Sequence, residues 1–227
     1  MLFLLSVAYA GPPLPQLGQG FGVGVSAWAA TTTDVLSDPE CAEGGNCVAH
    51  RAHSGTGGML HLQVGPVVTG WLGAGADNVS VPQAAYEAAG ITFDGGVSLN
   101  LRPKQDLGAL VWLGGDYGAS GDDAGEHARR WGVRAGGAVR TGRPDDGLGA
   151  WLGAELRVPG ADLTATLGGG LELALAPVVP ASVVGGFTVW SPPLSGRAGA
   201  DMPRAFLCAN ASLGAENGFR AGLGAAF

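Results

Sequence analysis

LGAWLGAELRV, residues 148–158, decides how the chain is read. Leu148, Ala150, Leu152, Ala154, Leu156 and Val158 alternate with Gly149, Gly153, Glu155 and Arg157. A period of two puts the apolar groups on one face of a strand and leaves the other face bare or polar. A helix would repeat about every 3.6 residues, and glycine at this density would weaken it.

The same alternation recurs on both sides of this stretch. In 17–28, Leu17, Gln19, Phe21, Val23, Val25 and Ala27 share one face, with Gly18, Gly20, Gly22, Gly24 and Ser26 on the other. In 90–101, Ile91, Phe93, Val97, Leu99 and Leu101 alternate with Thr92, Asp94, Gly96, Ser98 and Asn100. In 130–140, Trp131, Val133, Ala135 and Val139 alternate with Arg130, Gly132, Arg134, Gly136 and Arg140. In 163–175, Leu163, Leu167, Leu171 and Leu173 alternate with Thr164, Thr166, Gly168, Gly170 and Glu172. Weaker strand patterns occupy 57–65, 67–76, 107–118 and 181–190, and the last strand is 218–227. In 107–118, Leu110 and Trp112 put apolar groups on the face that is otherwise bare. These stretches predict ten strands, with eight and twelve as alternatives. Residues 204–213 read either as an eleventh strand or as an extension of the last one.

Composition selects the medium around these strands. The chain holds 42 glycines in 227 residues, where average usage gives roughly 16. Only 14% of residues are charged, against roughly 25% in soluble domains. A soluble β-sandwich carries many charges on its outer faces; here the polar faces carry mainly glycine. No run reaches the roughly 18 apolar residues of a membrane-spanning helix. The expectation is therefore an all-β, antiparallel transmembrane β-barrel whose apolar face meets lipid and whose glycine-rich face lines a narrow lumen. A secreted glycine-rich sandwich with a binding role is the soluble alternative. Nucleic acid is not an expected partner, because the net charge is −7 and phosphate backbones require basic patches.

The breaks between strands differ in length. Residues 30–56, 77–89, 119–128 and 191–203 read as longer loops, and 65–66, 102–106 and 141–147 as short turns. Outer-membrane barrels pair short periplasmic turns with longer external loops. The alternation fails at Pro159-Gly160-Ala161, which is short where a long loop is expected. Residues 1–10 end in Ala8-Tyr9-Ala10, a small-x-small pattern that fits signal-peptide cleavage. They read as the remnant of a signal peptide, and 11–227 as one barrel domain.

The final stretch carries a family resemblance. Phe219, Ala221, Leu223, Ala225 and Phe227 share one face, and Phe227 is the last residue. This resembles the C-terminal signature of bacterial outer-membrane β-barrel proteins, an alternating strand ending in an aromatic residue. The resemblance implies an outer-membrane location, with Phe219, Leu223 and Phe227 as the signal read by the outer-membrane assembly machinery. Alanine at two outward positions departs from the pattern. Membrane lipids and lipopolysaccharide are the partners implied.

Candidate chemistry is sparse. The inner faces place Asp94, Asp116, Arg130, Arg134, Arg140, Glu155, Arg157, Glu172 and Arg220 in the lumen. Isolated buried charges are costly, so these should pair. An ion-pair network that fills the barrel is favoured over a narrow, weakly anion-selective pore, because small barrels have just enough interior for side chains. Cys41, Cys47, His50 and His53 cluster in the first loop. Their spacing suits zinc poorly, and a Cys41–Cys47 disulfide is the preferred reading in an oxidising compartment. No cofactor is implied and no enzyme is expected: a Gly-x-Ser-x-Gly elbow, a Walker loop and a His-Glu-x-x-His helix are all absent. His127 beside Glu126 is a thin candidate for lipid chemistry. Trp131, at the start of its strand, suits an interfacial aromatic girdle, as do Trp28, Trp71 and Trp190 near strand ends, with packing as the equal alternative for each.

Overall fold

The computed structural model describes residues 17, 20–37, 48–81, 86–101, 105–121, 127–142, 146–159, 164–165, 171–172, 181–194, 203–214 and 217–227. Ten strands close into one barrel: β1 (Gly22–Ser37), β2 (Val48–Val64), β3 (Val68–Val81), β4 (Tyr86–Leu101), β5 (Leu107–Gly121), β6 (His127–Thr141), β7 (Leu148–Pro159), β10 (Ala181–Trp190), β11 (Arg204–Gly214) and β12 (Asn217–Ala226). Two short pieces, β8 (Thr164–Ala165) and β9 (Leu171–Glu172), pair only with each other, in the connection between β7 and β10. The order round the barrel is β1-β12-β11-β10-β7-β6-β5-β4-β3-β2, back to β1, and the sheet closes where the last strand, β12, meets the first, β1. Every barrel pair is antiparallel. At the seam, Val23 and Phe227 exchange backbone hydrogen bonds of 3.0 and 2.8 Å. A single closed sheet replaces the sandwich alternative.

The count of ten holds with one exchange of membership. Of the alternating stretch 163–175, the described residues 164–165 and 171–172 pair with each other outside the barrel, whereas 204–213 is a full strand, β11, paired with β10 and β12. Period-two alternation states that a segment fits a sheet, but not which sheet will take it. β11 and β12 are joined through 215–216, and this short connection makes them neighbours. The chain reverses at Gly214, whose φ of 143° lies where side-chain-bearing residues are rare. Residues 204–213 therefore cannot extend β12.

Several expected loops are strand. β1 and β2 stay paired as far as Ser37 and Val48, β3 and β4 to Val81 and Tyr86, and β5 and β6 to Gly121 and His127. The backbone ladder needs only N–H and C=O groups, so pairing outlasts the alternation of side chains. Connection 191–203 was expected among the long loops. It instead joins strands at the end where β1 starts and β12 finishes, together with 65–67, 102–106 and 142–147. Its flanks continue the hairpin, with Ser191 N–H donating to Ala205 O and Leu194 N–H to Pro203 O, both at 2.9 Å. The connection after Pro159 spans 160–180 at the opposite end, so it is long where the sequence suggested a short one, although 82–85 and 215–216 at that end are short.

Outward positions are apolar and exposed, and inward positions are buried. Leu72, Leu113, Leu152 and Leu223 point out and are 61–65% exposed. Phe93, Tyr117 and Trp131 are register neighbours on β4, β5 and β6, with 6.4 Å between the Phe93 and Tyr117 ring centroids. Inward, five tryptophans are buried: Trp28, Trp71, Trp112, Trp151 and Trp190. Of the two readings open for Trp28, Trp71 and Trp190, the structure takes packing: they line the interior and not a girdle. Only Trp131 lies in phase with the outward face.

The glycines explain how the indoles fit. Trp28 is the cross-strand partner of Gly57, Trp71 of Gly96, Trp112 of Gly136 and Trp151 of Gly186. A Cβ built on any of these four glycines would run into the facing indole. Interiors are packed without spare room, so a large ring on one strand requires a bare position on the next. We expect Gly136→Val to destabilise the barrel by about 1–3 kcal/mol through overpacking, read as a lower urea midpoint in detergent or vesicles. Gly58→Ala, which meets only one backbone oxygen at ordinary contact distance, should leave the midpoint unchanged. Combining Gly136→Val with Trp112→Ala should cost less than the two single changes added; strict additivity would refute the ring-over-glycine account.

Candidate functional site

The lumen is the site, and charge pairs run across it. Asp94 on β4 and Asp116 on β5 are direct cross-strand partners, as are Arg134 on β6 and Arg157 on β7. Like charges placed directly opposite repel. Each is neutralised by a partner two strands away: Arg134 Nη2 bonds Asp94 Oδ1 at 2.5 Å, and Arg157 Nη2 bonds Asp116 Oδ2 at 2.7 Å. Both bridges pass over a strand that presents glycine. A Cβ on Gly114 would meet the Arg134 Nε, and one on Gly132 would meet Asp116 Oδ1 and the Arg157 guanidinium. Bare positions thus make room for ion pairs as they do for indoles.

The pairs extend to the aromatic rings and across the barrel. Trp71 Nε1 donates to Asp94 Oδ1 at 3.2 Å, and Trp112 Nε1 to Glu155 Oε2 at 2.7 Å. The Arg134 guanidinium lies 5.8 Å from the Trp71 ring centroid, a cation–π contact. Trp112 and Trp151 meet edge to face at 5.8 Å. Arg220 Nη1, on β12, reaches Asp94 Oδ2, on β4, at 3.3 Å. β12 and β4 stand on opposite walls in the strand order, so this bridge spans the lumen. Arg140 serves the turns instead: its Nε donates to Asn100 Oδ1 at 2.6 Å, Nη1 to Gly142 O at 3.0 Å and Nη2 to Gln105 O at 3.4 Å.

Of the expected lumen charges, Asp94, Asp116, Arg134, Arg140, Glu155, Arg157 and Arg220 are buried inside the barrel. Arg130 falls in β6, opposite Gly118, where only the backbone is described. Glu172 is corrected: it belongs to β9 and pairs with Thr164 outside the barrel sheet. Phe219, Leu223 and Phe227 all point outward and are at least half exposed. Cys41, Cys47, Glu126 and residues 1–10 lie outside the described residues, and His50, His53 and His127 fall in strands where only the backbone is described. Among the described residues, no three His, Cys, Asp or Glu side chains are placed to hold a metal ion.

Sequence reasoning missed several buried polar groups: Asp77, His61, Gln63, Arg204 and Asn210. Asp77 was assigned to a loop, and Arg204 to a segment of undecided role. His61 and Gln63 share the inward parity of Gly57 in a weakly alternating stretch, and that parity was the available signal.

Removing one partner of a buried pair leaves the other charge less well neutralised. Arg157→Met, which takes away the bridge to Asp116, should destabilise the barrel by about 3–5 kcal/mol, measured by urea unfolding followed through tryptophan fluorescence. Asp116→Leu combined with Arg157→Met should recover part of that loss. A double variant as weak as the two single losses added would show that the two side chains do not act as a pair.

No family model and no curated protein matches the chain. Among solved structures, the chain is similar to the translocator domain of autotransporter NalP from Neisseria meningitidis, at 14% identity and a TM-score of 0.48, over 92% of this chain and 88% of that one. So weak a likeness carries no information on what this chain does.

Proposed function

We propose that this protein is a bacterial outer-membrane β-barrel with a lumen filled by its own side chains, and that it acts as a structural or interaction element through its wall and loops. The observation that carries this reading is the Arg220–Asp94 bridge across the lumen, set among five buried tryptophans. A permeation path would have to break that bridge and displace packed rings. The wall supports a lipid setting. Barrel strands run from 10 to 17 residues, enough for a tilted strand of about 9–11 residues to cross the hydrocarbon. The exposed leucines form its apolar face, and the row Phe93, Tyr117 and Trp131 suits a headgroup interface.

Lipids and lipopolysaccharide are then the immediate surroundings. Outward Phe219, Leu223 and Phe227 on the closing strand are the groups that the assembly machinery would read. Leu72→Arg, on the lipid face, should reduce stability by about 2–4 kcal/mol if the residue sits near the membrane midplane; an unchanged unfolding midpoint in lipid vesicles would contradict the lipid-facing assignment.

Two measurements test the reading directly. The folded protein should migrate faster on detergent gels before boiling than after, and it should leave membranes with detergent and not with salt. In planar bilayers it should be electrically silent. Steady, discrete openings would replace the filled barrel with a narrow pore.

A further inference from the structure

One end of the lumen holds a contact that the charge network does not use. Leu17 precedes β1, yet it is only 5% exposed and packs with Trp190, Phe206, Cys208 and Ala226 inside the barrel. The alternation in 17–28 assigned it to the outward face with Val23 and Val25. The structure turns it inward, against the bare positions Gly22 and Gly24. A Cβ on Gly24 would lie 3.0 Å from Leu17 Cδ2.

A buried amide holds this segment. Gln63, on β2, is fully buried. Its Oε1 accepts from Leu17 N–H at 2.5 Å, and its Nε2 donates to Gly20 O at 3.1 Å. One side chain therefore satisfies a backbone donor and a backbone acceptor in place of a partner strand. Next to it, His61 Nε2 and Ser26 Oγ are 2.9 Å apart, and the His61 ring meets Phe206 at 6.2 Å. These groups all lie at the mouth where β1 starts and β12 ends.

We propose that Leu17, clamped by the Gln63 amide, is a removable stopper that seals the lumen at this mouth. The proposal rests on the filled-lumen reading and adds a point at which the filling can be undone. The contacts are suited to release. Leu17 stands outside the barrel ladder, and its backbone tie to Gln63 is a side-chain bond that can break without opening any strand pair. Segments outside the ladder open at lower free energy than the strands they cover.

Cys208 reports the seal, because it lies in the same cluster and is buried. The test uses the full chain folded in detergent, with Cys41→Ser and Cys47→Ser so that Cys208 is the sole thiol among the three cysteines. A small cationic methanethiosulfonate is the probe. Labelling should be slow in this parent. Leu17→Ser or Gln63→Leu should accelerate it about tenfold or more, equivalent to about 1.4 kcal/mol less closing free energy. Both variants should keep their heat-modifiable mobility, and Leu17→Ala provides a milder truncation should Leu17→Ser fail to fold. Equal labelling rates in the parent and every folded variant, or fast labelling of the parent itself, would overturn the stopper. The filled-lumen reading fails by a different signal, steady openings of the wild-type protein in planar bilayers.

Discussion

Space inside a ten-strand barrel is the constraint on which the rest of this structure depends. The wall fixes the interior volume, and five indoles, several ion pairs and a leucine from outside the ladder all occupy it. Four of the indoles, the Arg134–Asp94 and Arg157–Asp116 pairs and Leu17 each lie against glycine. Gly57, Gly96, Gly136 and Gly186 face tryptophans, Gly114 and Gly132 lie under the bridges to Asp94 and Asp116, and Gly22 and Gly24 receive Leu17. The high glycine content is the complement of a crowded lumen.

Electrostatics follows from the same geometry. A side chain on a strand flanked by glycine can lie across its neighbour and meet a partner two strands away. That reach lets adjacent strands carry like charges, Asp94 beside Asp116 and Arg134 beside Arg157, without leaving them unneutralised. Buried ion pairs contribute little net stability once desolvation is counted, while rings and aliphatic contacts supply the favourable burial. What the pairs add is register. A slip of one residue on any of these strands would turn its charge toward the apolar outer face.

Much of the barrel was legible in the sequence, and the limits of that reading have specific causes. Alternation located β4, β6 and β7 and assigned Asp94, Arg134, Glu155 and Arg157 to the interior, because side-chain parity is a local property of a strand. Parity also separated Trp131 from the other tryptophans. Trp28 follows Gly22 and Gly24 in phase, and Trp151 lies between Gly149 and Gly153, so the rings share the glycine face. Their nearness to strand ends kept a girdle open beside packing for Trp28, Trp71 and Trp190. Alternation misled at Leu17, and at 164–165 and 171–172, where the pattern continues but the backbone stands outside the barrel sheet.

The sequence by itself determined the strand period, the two-faced wall and the identity of most lumen charges. These depend on neighbours a few residues apart and on composition, both of which a single chain displays. Only the tertiary structure decided that β11 is a barrel strand while 164–165 and 171–172 pair apart from it, that Arg220 reaches Asp94 across the lumen, and that Gln63 holds Leu17 within it. Each of those depends on which strands become neighbours when the sheet closes, and closure brings together residues as far apart as Asp94 and Arg220 that no local pattern relates.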